Sequence, residues 1–475
     1  MKIHKLLMVE PKSPGKHVFS IVRLPRLGMP ILGTLAHRLG YEVEVVIEEI
    51  HGLDFAKVSR ADLLCVSTTT STAPAAYRLA DRARAAGVTV ALGGPHVTFL
   101  PDEALAHADW VVRGEAEHSF PLLLDMLEGR IGPAAVPGLS WQGADGPVHN
   151  PLPAPVAMDE VPIPDFSLLS SSGQQRFDRG IVPIQTSRGC PHQCNFCSVT
   201  PMFGRKMRFA SNEHVAEELE RARGVGDKIF FYDDNFCGSP GRTKALLDHL
   251  LTRGIYLPRW FAQVSVRAAR DPELLRLMQR AGCYTVFVGF ESIDPEALDL
   301  HHKRQTVADI RHAIRAFQQH DIWVHGMFMT GSDAEGVDNI RATARFAIEQ
   351  DIDTIQFLVL TPLPGTPFYE QMRDQGRLLT RDWSQYDAHH AVFRPARLSA
   401  HQLMAETMAA MGKVYGWRRV LGPLFGGRLE RTFFRGYAHM QVRRWRRENR
   451  ARLRAARLAE NKPPAGMTAE PDSGR

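Results

Sequence analysis

Cys190, Cys194 and Cys197 fall within eight residues of a chain that has six cysteines in 475. They stand at C-x3-C-x2-C spacing in the run Thr186-Ser-Arg-Gly-Cys-Pro-His-Gln-Cys-Asn-Phe-Cys-Ser-Val-Thr200, so three thiolates share one short loop. Three such ligands suit three corners of a cubic [4Fe–4S] cluster. With no fourth cysteine in the loop, one iron is left open to bind something else. Zinc is the alternative reading, because it takes four ligands and His192 lies between the first two cysteines. Cys65, Cys237 and Cys283 are scattered and read as buried structural thiols.

The flanks carry a resemblance. Phe196 precedes the third cysteine, and Arg188-Gly-Cys-Pro191 with Gly204-Arg-Lys-Met-Arg208 resembles the extended motif found beside cobalamin-binding domains. On these residues the chain resembles the radical S-adenosylmethionine (radical SAM) superfamily. The resemblance implies that the methionine moiety of SAM chelates the open iron and that an electron from the cluster breaks the sulfonium bond. The resulting 5′-deoxyadenosyl radical takes hydrogen from a substrate. It also implies a cellular electron donor such as flavodoxin or ferredoxin.

Elements must hold this loop. Residues 181–185, 228–232, 260–265, 284–290, 323–329 and 354–360 are apolar, strand-like runs separated by helical patterns. Six such repeats resemble the partial (β/α)6 barrel of the family, in which function gathers on loops after the strands. By that resemblance Asp233, Asp234, Asn235, Ser265, Arg267, Glu291 and Phe196 are expected to contact SAM. A carboxylate beside the ammonium and Glu291 at the ribose are the roles implied. The loop Thr361-Pro-Leu-Pro-Gly-Thr-Pro367 is expected to be a structural lid. No catalytic acid or base is assigned.

Ahead of the barrel, residues 5–9, 42–47, 63–67, 89–92 and 110–113 are short strands alternating with helices at 30–39 and 75–86. This pattern predicts a Rossmann-like, doubly wound parallel sheet with ligands at the carboxyl ends of its strands. Loops there, with Gly93-Gly-Pro-His96 and Arg113-Gly-Glu-Ala-Glu117, resemble the cobalamin-binding domain fused to many radical SAM barrels. Ser67, Thr68, Thr69, Gly93, Gly94, His96, Gly114 and Glu115 are the implied cobalamin contacts. The Asp-x-His-x-x-Gly motif that supplies a histidine to cobalt is absent, and His96 reads as a loop-capping residue rather than a ligand. The alternative is a scaffold that has lost its cofactor.

The expected fold class is therefore α/β. It comprises an N-terminal domain (1–146), a Pro-rich extended linker (147–178), a radical SAM barrel (179–380), a helical C-terminal region (381–460) and a disordered tail (461–475). Hydrophobic content of 44% and charged content of 23% are ordinary for a globular chain. No run reaches the ~18 apolar residues that span a bilayer, no signal peptide is evident, and a reducing cytoplasm is expected. The net charge of +6 is uneven: residues 428–458 hold eleven arginines against Glu430 and Glu448, a local +9, leaving the rest at −3. Phe434, Ala438, Val442 and Trp445 fall at helical spacing there, which predicts a basic amphipathic helix that could touch an anionic membrane. A nucleic-acid partner is not expected. The leading expectation is cobalamin-dependent C-methylation of a small or lipid-like molecule. Cyclisation or carbon–carbon coupling without cobalamin, and a non-enzymatic cluster- or cobalamin-binding sensor, are the alternatives.

Overall fold

The computed structural model describes residues 3–15, 23–170, 177, 180–255, 257–425 and 429–460. The tail expected to be disordered, 461–475, lies outside these residues. So do Asp178 and Arg179 at the linker–barrel boundary.

In β1 (Lys5–Glu10), Leu6 and Met8 point to one face and Leu7 and Val9 to the other, and all four are buried. That is what a strand covered on both sides requires. β1 pairs in parallel with β2 (Glu42–Ile47) and β3 (Leu63–Ser67), β3 with β4 (Thr89–Gly93), and β4 with β5 (Trp110–Val112). Antiparallel β6 (Leu139–Gly143) and β7 (Gly146–His149) complete a sheet in the order β2-β1-β3-β4-β5-β6-β7. One face, with Leu7, Val9, Leu64 and Val66, closes on Ala76, Ala80 and Ala83 of helix Ala73–Ala85. The other, with Leu6, Met8, Val45 and Leu63, belongs to one apolar cluster with Val182, Ile184, Ile229 and Phe231 of the barrel.

The barrel strands are β8 (Ile181–Ile184), β11 (Lys228–Phe231), β12 (Trp260–Val264), β13 (Cys283–Glu291), β14 (Trp323–Thr330) and β15 (Thr354–Val359). They pair in parallel in the order β15-β14-β13-β12-β11-β8. Two short strands, β9 (Ser187–Arg188) and β10 (Arg208–Phe209), pair antiparallel outside this sheet. Every strand expected from the sequence appears within one residue of its expected ends.

The Pro-rich stretch is not a free spacer. β7 runs past the expected boundary at residue 146, and 3₁₀ turns at Met158–Glu160 and Phe166–Leu168 interrupt the extended chain. Leu169 bridges Val45, and Ser170 N–H donates to Val45 O at 2.8 Å. The stretch is a strap along the β2 edge.

The C-terminal helices close the barrel along β15 and at its floor. In helix Ala400–Val414, capped by Ser399, Leu403, Met404, Met408 and Met411 are buried as their spacing predicts. Helix Leu429–Glu448 lies against the amino ends of the barrel strands. Arg435, 4% exposed, donates to Asp353 O and Ile352 O, both at 3.2 Å, and to Asp351 Oδ1 at 3.2 Å. Arg431 pairs with Asp353, and Glu430 accepts from Tyr284 Oη at 2.5 Å and Arg259 at 3.2 Å. Ala438, Val442 and Trp445 are buried, so the expected amphipathic stripe faces the protein rather than outward. A different set, Trp417, Leu421, Leu429, Phe433 and Met440, is exposed. Among the described residues no helix is long and apolar enough to cross a membrane.

Removing a buried cation from this floor leaves the Asp353 and Arg419 carbonyls without their Arg435 donor and weakens the pairing of Asp351. Arg435→Ala should destabilise the chain by about 3 kcal/mol, read as a lowered urea midpoint, whereas Arg443→Ala, at an exposed position, should change it by less than about 0.5 kcal/mol.

Candidate functional site

The cysteine loop is closed by a clip. β9 and β10 pair Arg208 with Arg188 and Phe209 with Ser187, joining the two ends of the loop. Gly189 makes this possible: it sits at φ +90°, and a Cβ there would lie 2.8 Å from Lys206 O. Within the loop, Cys197 N–H donates to Cys194 O at 3.2 Å, and helix Val199–Phe203 follows. The middle of the loop is pinned to the barrel. Phe368 N–H donates to Asn195 O at 3.0 Å, and Phe196 packs with Leu360, Phe368 and Phe393 and meets His301 edge-on at 5.5 Å.

Burial raises the pKa of Cys190 and Cys194 and pushes Cys197 up to about 12. Their thiolates therefore need a cation or metal to form. Among the described residues no three His, Cys, Asp or Glu side chains converge on a single ion.

Three polar residues after β11 sit side by side with different fates. Asp233 is fully buried and accepts from Thr186 N–H at 3.3 Å, Thr186 Oγ1 at 3.2 Å and Ser187 Oγ at 2.5 Å. It holds the chain entering the cysteine loop, and burial pushes its pKa up to about 6. Asp234 faces a cavity; its Oδ2 is buried with no hydrogen-bond partner, and burial, with Asp233 adding repulsion, pushes it up to about 7. Asn235 lies beside the Cys190 thiol, and its Oδ1 is likewise buried without a partner. Glu291, ending β13, pairs with Lys303 Nζ at 2.7 Å. Ser265 caps the 3₁₀ turn Val266–Arg270, and exposed Arg267 points its field at His192.

The cavity, about 380 Å³, lies between the carboxyl ends of β3–β5 and the cysteine loop. Ser67, Thr69, Gly93, Gly94, Gly114 and Glu115 line one wall; Arg188, Ser198, Val199, Met202 and Phe203 line the other. Two residues expected there are elsewhere. Thr68 is wholly buried, its Oγ1 donating to Gly93 O at 2.9 Å. His96 is 1% exposed, 3.2 Å from Glu103 Oε1 and edge-on to Trp383 at 5.1 Å, as a residue that caps a loop. Glu115 does reach the wall, but both its oxygens are occupied. Arg188 Nη1 and Arg208 Nη1 donate to Oε2, each at 2.9 Å, and Arg208 Nη2 donates to Oε1. Arg188 Nη2 also donates to Glu117 Oε1 at 2.6 Å. Sequence reading missed this quartet, although two acidic residues in one motif and arginines at both ends of another were its signal. It also missed Arg26 and Tyr232, which line the cavity, and Lys303, which pairs with Glu291; none of the three carried a motif.

A six-stranded parallel barrel with three cysteines on the loop after its first strand defines the class. The profile of the radical SAM superfamily matches residues 184–347, and that of the B12 binding domain matches residues 22–124. The chain belongs to the radical SAM superfamily, and within it to the members that carry an N-terminal B12-binding domain. It is 31% identical to an uncharacterized methyltransferase of Pyrococcus horikoshii, over 85% of this chain and 90% of the relative. It is 29% identical to bacteriochlorophyllide d C-12(1)-methyltransferase of Chlorobaculum tepidum, over 90% of this chain and 91% of the relative. Its fold is similar to that of the radical SAM methyltransferase TsrM from Kitasatospora setae, solved with cobalamin and a [4Fe–4S] cluster bound. There the TM-score is 0.68 at 17% identity, over 97% of this chain and 100% of that one.

Behind Asp233, Glu218 is buried and pushed up to about 8 by desolvation, with repulsion from Asp233 adding to it. Glu218, Asp233 and Asp234 all hold protons more tightly folded than unfolded, so this contribution is full below about pH 4 and falls as pH rises toward 8. Glu218→Gln should raise the thermal unfolding temperature of metal-free protein at pH 8, by an amount that shrinks as the pH is lowered toward 4. An equal gain at both ends of that range is the result to look for against it.

Proposed function

We propose that this chain is a cobalamin-dependent radical SAM methyltransferase acting on an unactivated carbon of a small or lipid-like substrate. The observation that carries the reading is the shared cavity: the loops of the Rossmann-like sheet and the helix leaving the cysteine loop are its two walls.

Cys190, Cys194 and Cys197 are the proposed ligands of the cluster. Asp234 Oδ2 and Asn235 Oδ1, two buried acceptors lacking donors beside that loop, fit the methionine ammonium of SAM. Glu291, Ser265, Arg267 and Phe196 complete the proposed SAM surroundings. Ser67, Thr69, Gly93, Gly94 and Gly114 are the proposed cobalamin contacts. Two hydroxyls suit the amide groups of a corrin, and Gly94, at φ +100° with Thr68 O 2.5 Å from any Cβ, keeps bare backbone in the wall. Asp233, Thr68, His96 and Glu115 are assigned to holding the fold instead. When bound, the cluster supplies the electron that breaks the sulfonium bond, and the corrin supplies the methyl carrier. The chain's own part is to bury both sites, hold Asp234 and Asn235 against the loop, and keep water from the shared space. A flavodoxin- or ferredoxin-like protein fits as electron donor.

The basic helix adds less to a membrane reading than its charge suggests, since Arg431 and Arg435 are paired in the floor. That floor is also the face opposite the site. The substrate is thus proposed to enter at the barrel mouth, on the face away from the exposed stripe of Trp417 and Phe433.

Anaerobic reconstitution with iron, sulfide and hydroxocobalamin, then desalting and metal analysis, tests the assignment. Iron and cobalt should both be retained. Cys197→Ala should lose the iron and keep the cobalt, and isotopically labelled methyl from SAM should appear in product. Retained iron without cobalt would leave a radical SAM enzyme whose N-terminal domain is a scaffold, and would overturn methyl transfer through cobalamin.

A further inference from the structure

β13 ends irregularly. Its pairing with β14 slips between Gly289 and Glu291, a bulge at Phe290. Glu291 then sits at φ +61°, a left-handed conformation that is strained for a residue with a Cβ. The side chain lies back over Gly289: a Cβ on Gly289 would be 2.4 Å from Glu291 Oε1 and 3.1 Å from Lys303 Nζ. Only glycine leaves room for the pair there. Lys303 Nζ donates to Glu291 Oε1 at 2.7 Å, the side chains being 18% and 11% exposed.

The segment bearing Lys303 is fastened to the cysteine loop. Asn195 Nδ2 donates to Leu300 O at 3.0 Å, and His301 Nδ1 lies 3.1 Å from Asn195 Oδ1, between Cys194 and Cys197 in the chain. Burial works against the charge of Lys303, but the Glu291 carboxylate beside it outweighs burial and holds it protonated.

We propose that Lys303 is a positioning residue, held by Glu291 over the bare backbone of Gly289, that supplies fixed positive charge to the three-cysteine loop and makes the cluster seated there easier to reduce. Adding an electron makes the cluster more negative, and a cation fixed in a poorly solvated site stabilises that state. The proposal rests on the cluster reading of the three cysteines.

The test is an EPR-monitored redox titration of reconstituted protein without SAM or substrate, in wild type, Lys303→Met, Lys303→Arg and Glu291→Gln. With iron content equal to wild type, Lys303→Met should shift the midpoint to more negative potential and Lys303→Arg should restore it. Glu291→Gln, whose amide oxygen still accepts from Lys303 Nζ while the opposing charge is gone, should shift it to more positive potential. A Lys303→Met protein with full iron and an unshifted midpoint overturns the proposal. Should Lys303→Met fail to load iron, an unshifted or negatively shifted Glu291→Gln overturns it. A wild-type chain that binds no iron overturns the cluster reading first, and this inference with it.

Discussion

The arrangement depends on four paired, largely buried charges. Arg188 and Arg208, at the two ends of the cysteine loop, meet Glu115 and Glu117, which follow β5 of the N-terminal sheet. Arg188, Glu115 and Glu117 are each under 10% exposed, where an unpaired charge costs several kcal/mol. The quartet is neutral, and each domain contributes one sign. Neither domain can bury its half alone, so the pairing fixes where the cysteine loop sits over the sheet. The cavity between them follows from that clamp, because Glu115 and Arg188 are themselves part of its walls.

This explains which residues could be read in advance. Strands such as 63–67 and 323–330 are apolar runs bounded by turn residues, and local pattern suffices for them. The cysteine loop is legible because its three ligands are close in sequence. Glu115 was not legible, because its partners lie 73 and 93 residues away and a glutamate in a glycine-rich turn looks the same whether it meets a corrin or a guanidinium. Asp233 and Asp234 are harder still. Adjacent and identical in type, they point to opposite sides of a strand end, one into Thr186 and Ser187 and the other into the cavity.

The basic segment shows the same limit for charge. A local excess of arginine is visible in composition, but composition does not say which arginines have partners. Asp351 and Asp353, in the turn before β15, sit under Arg431 and Arg435 and convert part of an apparent surface patch into the floor of the barrel. An amphipathic pattern has one apolar face in sequence terms. Here Ala438, Val442 and Trp445 serve the core, and that face cannot also serve a membrane.

The loop after β15, expected to be a structural lid, makes fixed contacts with both domains. Gly365, at φ +82°, lies so close to Phe99 of the N-terminal domain that a Cβ would meet the ring at 2.3 Å. Three residues beyond, the backbone of Phe368 holds Asn195 in the cysteine loop. Farther on, Trp383 Nε1 donates to Glu103 Oε1 at 2.8 Å, fastening the same region to helix Pro101–Leu105 of the N-terminal domain. The N-terminal domain and the cysteine loop are therefore joined twice, by the charged quartet and by this apolar and backbone route. A displacement of one wall of the cavity must carry the other with it. The spacing between two sites that have to exchange a group is then set by the protein before either is filled, as preorganised chemistry demands.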